Sequence, residues 1–516
     1  MAQEIAPIWA HPQGETFLPD QSPTADGLSA VLSNTPVAVD TLGKRFHVEW
    51  DPQAAVTPLG QLVFFAQFLA ASGLYSNWIK QCPLKYQSPN APSVADVLGT
   101  WTLAALAGAC RYSHVTALRA DTVPQGLGMT KVVSEDSLRR AFKNGDAQAL
   151  TRWQTQALFD TYAPALEEPW ICDLDVTVKP IYGHQQGALI GYNPHKPGRP
   201  SHAYHTLFIR SIRIALDVEV HSGKEHAPCH GLAHIWRTLD RLSASQKPWL
   251  ICGDCAYGNE QLMSQCEERT QKYLFRQRQT SGVKQLVQLL ESQGGWHLLG
   301  ESWEGCEGQL QLSGWTLKRR VVVIRRLRAQ PLETSLPLLG DAAAHVARAP
   351  QYEYQVLTTN LAEDLCAIVH LYRQRSDVEN AYDELKNQWG WGGFTTEDLQ
   401  RCQVAARMTA LVYNWWALFV RCAEPERARE AITSRPLLLC AVGRIIKSGG
   451  QTLLRLTSTH AQAAQAQAAL TRLSLFLSGL TNAAEQLESK ARWRRIWQRI
   501  LAPYRKEAAA LPIASG

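Results

Sequence analysis

No run in the 516 residues approaches the roughly 20 uninterrupted apolar positions that a membrane-spanning helix needs. The best stretches, 62–74 and 410–420, are short and broken by Gln or Asn, so both read as buried helices and no membrane partner is expected. The start, MAQEIAPIWAHPQGETF, has neither the basic opening nor the apolar centre of a secretory signal, which points to a cytoplasmic location. The 12 cysteines show no disulfide-framework spacing; Cys110, Cys172, Cys366 and Cys440 sit inside apolar segments, as reduced core thiols do. There is no internal repeat.

Neither sign of charge dominates, since 52 Lys and Arg stand against 46 Asp and Glu for a net +6, too weak a bias to identify a nucleic-acid partner by itself. Distribution says more. Basic residues gather at 318–328 (KRRVVVIRRLR), at 492–499 (RWRRIWQR) and around 195–199. Such runs suit a solvated face, and where Trp or Tyr interleaves with Arg they also suit phosphate contact and base stacking. With 45% hydrophobic residues, 19% charged residues and a mean hydropathy of −0.21, the chain has the apolar content of a packed protein. Its length predicts about two to four structural units.

Residues 1–56 are rich in Pro, Gly and Ser with little period, which predicts a loosely ordered leader. From 57 to 165 the pattern is helical, over 62–74, 94–110 and 134–143. Ser134 stands where an N-cap belongs, and the helix after it carries Arg139, Arg140 and Lys143, a set that fits either a DNA groove or an ordinary surface helix. Past Trp170, strand patterns at 171–178, 206–210, 214–220 and 249–253 with a helix near 231–242 predict an α/β core over 166–293. Short β-rich runs over 294–360 read as an all-β insertion. Helices return over 361–425, and 426–516 reads as a helical tail ending in a basic helix.

Three carboxylates stand out. In ICDLDVTV the period-two rule sends Asp173, Asp175 and Thr177 to one face of a strand, and carboxylates there need a metal or an arginine to offset their burial. Asp254 follows the apolar run WLICG at the strand end where α/β sheets place ligands, although a lone Asp there also serves as a turn residue. In LYRQRSDVENAYDELK, at about 100° per residue, Tyr372, Arg375, Glu379 and Lys386 fall within about 60° of one helix face. A plain i,i+4 pair explains Arg375 and Glu379 but not the whole set. Phosphodiester cleavage and strand transfer need an activated nucleophile and a stabilised leaving oxygen, which two Mg²⁺ ions about 4 Å apart supply. Oxygen ligands from two Asp and one Glu suit Mg²⁺, with Mn²⁺ as a substitute. The CGDC around Asp254, with Cys229, His230 and His234 upstream, raises zinc as an alternative, but no second C-x-x-C follows and Cys252 closes a buried strand.

These motifs resemble the DDE transposases of bacterial insertion sequences that carry a Tyr-Arg-Glu-Lys signature, specifically the insertion sequence thirteen-eighty group. The resemblance runs from about residue 94 to 456 and rests on GYNPHKPGRPSH, the 372–386 signature, GWGGFTTEDLQRCQ, LVYNWWALFVR and EAITSRPLLL. The chain departs from the group's usual motifs at Val176 and at Gly253 and Cys255, leaving the carboxylates intact. The resemblance implies a ribonuclease H-like catalytic core interrupted by the β-rich insertion, a helical DNA-binding domain at 57–165, and C-terminal helices for DNA contact or dimerisation. It implies Asp175, Asp254 and Glu379 as catalytic metal ligands, with Asp173 the rival for first place. Tyr372, Arg375 and Lys386 would contact DNA near the reacting phosphate, and the Gly/Pro loop would present His195, Lys196 and Arg199 to the backbone. The implied partners are double-stranded DNA, as terminal inverted repeats and target, and a second copy of the chain in the DNA complex. Trp296, Trp303 and Trp315 are candidates for stacking on a flipped base, against the alternative of core tryptophans.

Overall fold

The computed structural model describes residues 36–51, 54–86, 88–193, 196–300, 302–328, 352–458, 460–483 and 487–510. The chain divides after Ala55 into two units. In the first, VAVD and RFHV pair as a hairpin, β1 (Val37–Asp40) and β2 (Arg45–Val48), with a 2.6 Å ion pair between Arg45 and Asp40. Within the leader expected to be loosely ordered, residues 37–48 therefore form a regular hairpin; residues 1–35 of that leader lie outside the described residues.

The second unit opens with β3 (Val56–Thr57) and the helices α1 (Leu62–Ser72), α2 (Leu74–Lys80), α3 (Val94–Leu106), α4 (Glu135–Arg140) and α5 (Ala147–Tyr162). Ser93, Ser134 and Asp146 cap the last three by accepting from backbone N–H groups of the first turn. Next come β4 (Ile171–Pro180), β5 (Leu189–Ile190), β6 (Pro200–Ile209), β7 (Ile214–Ser222), α6 (Pro228–Leu239), β8 (Leu250–Gly253), α7 (Glu260–Glu268), β9 (Tyr273–Arg276) and α8 (Ser281–Gln293). Strands β10 (His297–Leu298), β11 (Trp303–Leu310), β12 (Arg319–Leu327) and β13 (Tyr352–Thr359) precede α9 (Leu365–Arg373), α10 (Ser376–Gln388), α11 (Leu399–Ala423) and α12 (Ala431–Leu438). The chain then forms β14 (Gly443–Ser448), β15 (Gln451–Leu456), α13 (Ala463–Thr481) and α14 (Ser489–Ala510).

One ten-stranded sheet organises this unit, in the order β10-β11-β12-β13-β9-β8-β4-β6-β5, with β7 also paired to β6. Strands β4, β6 and β7 form an antiparallel meander, and β8 and β9 add in parallel beyond β4. The β-rich stretch is therefore not a layer of its own. Its strand β13 pairs antiparallel with β9, so the backbone groups that β9 would leave open are used to extend the core sheet.

The far edge is closed by side chains. From α11, Asn414 accepts from the Ala215 N–H at 2.8 Å and donates to the Ala215 carbonyl at 2.7 Å. Gln403 does the same for Val220 and Val218, at 2.6 and 2.7 Å. The buried amide of Asn414 and the half-buried one of Gln403 thus stand in for a neighbouring strand along β7. The same helix joins the N-terminal helices: Phe65 packs on Phe419 and Trp78 on Trp415, each pair with ring centres 5.4 Å apart. One hydrophobic core accordingly runs from Leu62 through Phe208 to Trp497. The tail is not wholly helical either, because RIIK and TLLRL around Gly449-Gly450 form the hairpin β14–β15, which joins β3 in a three-stranded sheet.

Candidate active site

Strand β4 carries both aspartates, and the fold gives them different surroundings. Asp173 is fully buried, and its two oxygens each accept from Arg210 at 2.6 Å, from Nε and Nη2. Arg210 reaches back from the end of β6 and also donates to the Leu371 carbonyl. A bidentate arginine satisfies Asp173 completely, so the carboxylate has no reason to bind anything else.

Asp175 is one pleat further along and keeps 21% of its side chain exposed. Strands β4 and β8 are parallel with Leu174 opposite Gly253, about 4.8 Å apart, so Asp175 and Asp254 are the residues that follow this last pair, Asp175 still on β4 and Asp254 just past the end of β8. Asp254 bends the chain as a turn residue does, with Oδ1 accepting from the Ala256 N–H at 2.9 Å. Burial pushes the Asp175 carboxyl up, Arg375 opposes this, and the charges of Asp254 and Glu379 raise it again, leaving it near about 6. Carboxylates crowded in this way are an all-oxygen donor set whose repulsion a divalent cation would relieve.

Arg375 ties the third acid to this pair. It is buried, lies 3.6 Å from Asp175, and donates to Glu379 Oε1 at 2.6 Å. Glu379 is 62% exposed on the first turn of α10, where the helix dipole favours an anion. Among the described residues, no three His, Cys, Asp or Glu side chains are gathered to hold a metal ion, and Glu379 is bonded to Arg375.

The signature does not lie on one continuous helix. Tyr372 is near the end of α9, Arg375 is in the joint, and Glu379 and Lys386 are on α10. At the joint the N–H groups of Arg375 and Val378 bond three residues back at 3.0 Å each, and the Ser376 hydroxyl takes the Arg373 carbonyl at 3.0 Å. These tight local bonds break the α register. Tyr372 is buried in an apolar cluster with Leu250, Cys252 and Leu365, and burial pushes its hydroxyl up to about 12. Neither Tyr372 nor Arg375 offers a free surface to DNA. Lys386 is exposed, two turns along α10 from Glu379.

Lys196 and Arg199 are exposed and converge on Tyr182, at 5.1 and 4.8 Å from its ring centre, and Lys196 also donates to its hydroxyl. Gly198, at φ 77° with open space around it, allows the turn. His195 lies outside the described residues. Tyr182 was not singled out from sequence; the only signal was an aromatic at the end of a strand, 14 residues from its partner. Arg139 and Arg140 are exposed on α4 and share Asp136, at 2.6 and 3.5 Å. Exposed pairs of this kind are screened by solvent and hold their partners weakly.

Each candidate tryptophan already has a guanidinium over its ring: Arg325 on Trp296 at 4.0 Å, Arg326 on Trp303 at 4.8 Å and Arg319 on Trp315 at 5.2 Å. The zinc alternative gains nothing from the structure. Burial pushes the Cys252 thiol up to about 12, His234 is bound to Asp217 at 3.1 Å, and Cys229 is exposed.

Residues 55–477 match the family described as Transposase DDE domain group 1, and the chain belongs to this family. It is a DDE transposase, an enzyme that cleaves and transfers DNA, of a family that uses divalent metal ions. Among solved structures it is similar to a piggyBac transposase in a synaptic complex with hairpin DNA, at 10% identity over 87% of each chain and a TM-score of 0.37. None of the curated proteins matches it.

Proposed function

We propose that this transposase serves an insertion sequence of the thirteen-eighty group, binds its terminal inverted repeats, and moves it by cut-and-paste. Asp175, Asp254 and Glu379 are the catalytic acids. The observation that carries the assignment is the parallel register of Leu174 with Gly253, which sets Asp175 beside Asp254 while Arg375 links Asp175 to Glu379. The meander β4-β6-β7, followed after a helix by parallel β8 and β9, supports a ribonuclease H-like core.

Two Mg²⁺ ions, or Mn²⁺ in their place, held by the three acids would activate the attacking water or 3′-hydroxyl and stabilise the leaving oxygen. Arg375 acts as a positioning residue: it neutralises Asp175 and holds Glu379, and its pair with Glu379 opens for all three acids to converge. Lys386, Lys196 and Arg199 hold DNA phosphates, and Arg139 and Arg140 add contacts from the N-terminal helices. Two copies of the chain act together on paired ends, in the cytoplasm at the nucleoid.

The test is an in vitro reaction on linear DNA carrying the element's ends, with Mg²⁺ and with chelator. Nicks at the element boundary that need the metal support the reading. Metal-dependent cutting of branched DNA regardless of the ends would make the protein a junction nuclease instead.

A further inference from the structure

Between Glu430 and Glu485 the chain contains no Asp or Glu, and the hairpin β14–β15 lies within this stretch with Arg444, Lys447 and Arg455. Arg444 and Arg455 are directly opposed across the two strands, both exposed, and neither has an acidic partner among the described residues. Like charges at cross-strand positions destabilise a hairpin. Nothing in this acid-free segment offsets that repulsion.

The base of the hairpin is anchored and its tip is exposed, with residues 447–453 all open to solvent. Strand β3 pairs with β14 only at Gly443 and Arg444, and among the described residues no other strand pairs with either strand of the hairpin. The turn is Gly449-Gly450, with φ of 55° and 75°, the left-handed pair that a two-residue hairpin loop requires. A Cβ at either glycine would meet nothing within 4 Å. One face of the ribbon presents Arg444 with Arg455, then Ile446 with Leu453, then Ser448 with Gln451, and Lys447 points to the other face.

The geometry points to duplex DNA as the occupant of this ribbon, with Arg444 and Arg455 on phosphates and the Ser448–Gln451 tip entering a groove. This rests on the reading of the chain as an end-binding transposase. Six residues at about 3.4 Å each make an arm about 20 Å long, and the major groove, about 12 Å wide, admits a two-stranded ribbon. An opposed arginine pair with no internal counter-ion is matched by the closely spaced phosphates of a duplex.

The experiment measures binding of full-length protein to a labelled duplex of arbitrary sequence, in chelator, over a range of salt. Arg444→Gln with Arg455→Gln should reduce the slope of log affinity against log salt by about 1.8, or 0.9 for each lost phosphate contact. Ser448→Glu, at a tip with no packing to disturb, should weaken binding at low salt by at least about tenfold. An unchanged slope in a double variant of unchanged melting temperature, or unchanged binding by Ser448→Glu, overturns the proposal. So does a ribbon variant that loses only self-association, which would make this a protein contact. Because no metal is present, the outcome is independent of the catalytic assignment: a chain that binds through the ribbon but never cuts overturns only that assignment.

Discussion

Asp173 and Arg210 form a closed, fully buried pair, with two contacts of 2.6 Å between β4 and the end of β6. The strand thus carries one aspartate closed in an ion pair and, one pleat on, Asp175, which stays partly exposed beside Arg375 and is the one proposed for chemistry. Breaking a buried pair by removing one partner leaves the other charge uncompensated, at a cost of about 3–5 kcal/mol. Asp173→Asn should therefore lose about that much stability in urea denaturation, while Asp175→Asn, whose native charge is itself disfavoured by burial, should lose far less. Equal losses would mean that the two aspartates do not differ in role.

A second buried network sets an acid limit. Arg407 on α11 contacts Asp217 at 2.7 and 3.0 Å and Glu219 at 3.7 Å, and His234 reaches Asp217 at 3.1 Å. Burial alone would raise both carboxyls, but Arg407 and His234 hold Asp217 well below its ordinary value, and His221, His234, Arg237 and Arg407 bring Glu219 down to about 2. Depressed carboxyls contribute stability in full above their ordinary values near 4 to 4.5, and it is lost as pH falls toward about 2. Arg407→Met should cost about 3–5 kcal/mol at neutral pH. Its deficit should shrink below about pH 4, and a deficit independent of pH would show that the charges are not what Arg407 supports.

Much of this site was legible as faces but not as partners. The alternation in ICDLDVTV placed Asp173 and Asp175 together, and the apolar run before Asp254 placed it at a strand end, because period and burial are local properties. Arg210 lies 37 residues from Asp173, and no spacing rule connects them. Helical period carried the 372–386 signature straight through a joint that is set by Ser376 and by the tether of Arg375 to Glu379. The burial of Tyr372 comes from β8 and α9 packing on each other, which local pattern does not record. The hairpin at Gly449-Gly450 was legible in principle, since Gly-Gly between alternating apolar residues is a turn signal.

Lys196 and Arg199 should behave as phosphate contacts, and Arg375 should not. Alanine at either exposed residue should flatten the salt dependence of duplex binding by about 0.9 and weaken all sequences alike. Arg375→Gln should leave that slope unchanged while abolishing cleavage, because its guanidinium is buried against Asp175 and Glu379. A flattened slope in Arg375→Gln would place it on DNA after all.

The most direct measurement compares binding and cleavage in Glu379→Gln, Asp254→Asn and Asp175→Asn on DNA carrying the element's ends. On the proposed reading, Lys and Arg contacts dominate end binding and the acids serve the metal ions, so binding and chemistry should separate. Each variant should bind the ends about as well as the unaltered protein and produce no cleavage or joining in Mg²⁺ or Mn²⁺. A Glu379→Gln protein that still cuts in either metal would contradict the account, because among the described residues no other acid is ion-paired to Arg375 alongside Asp175.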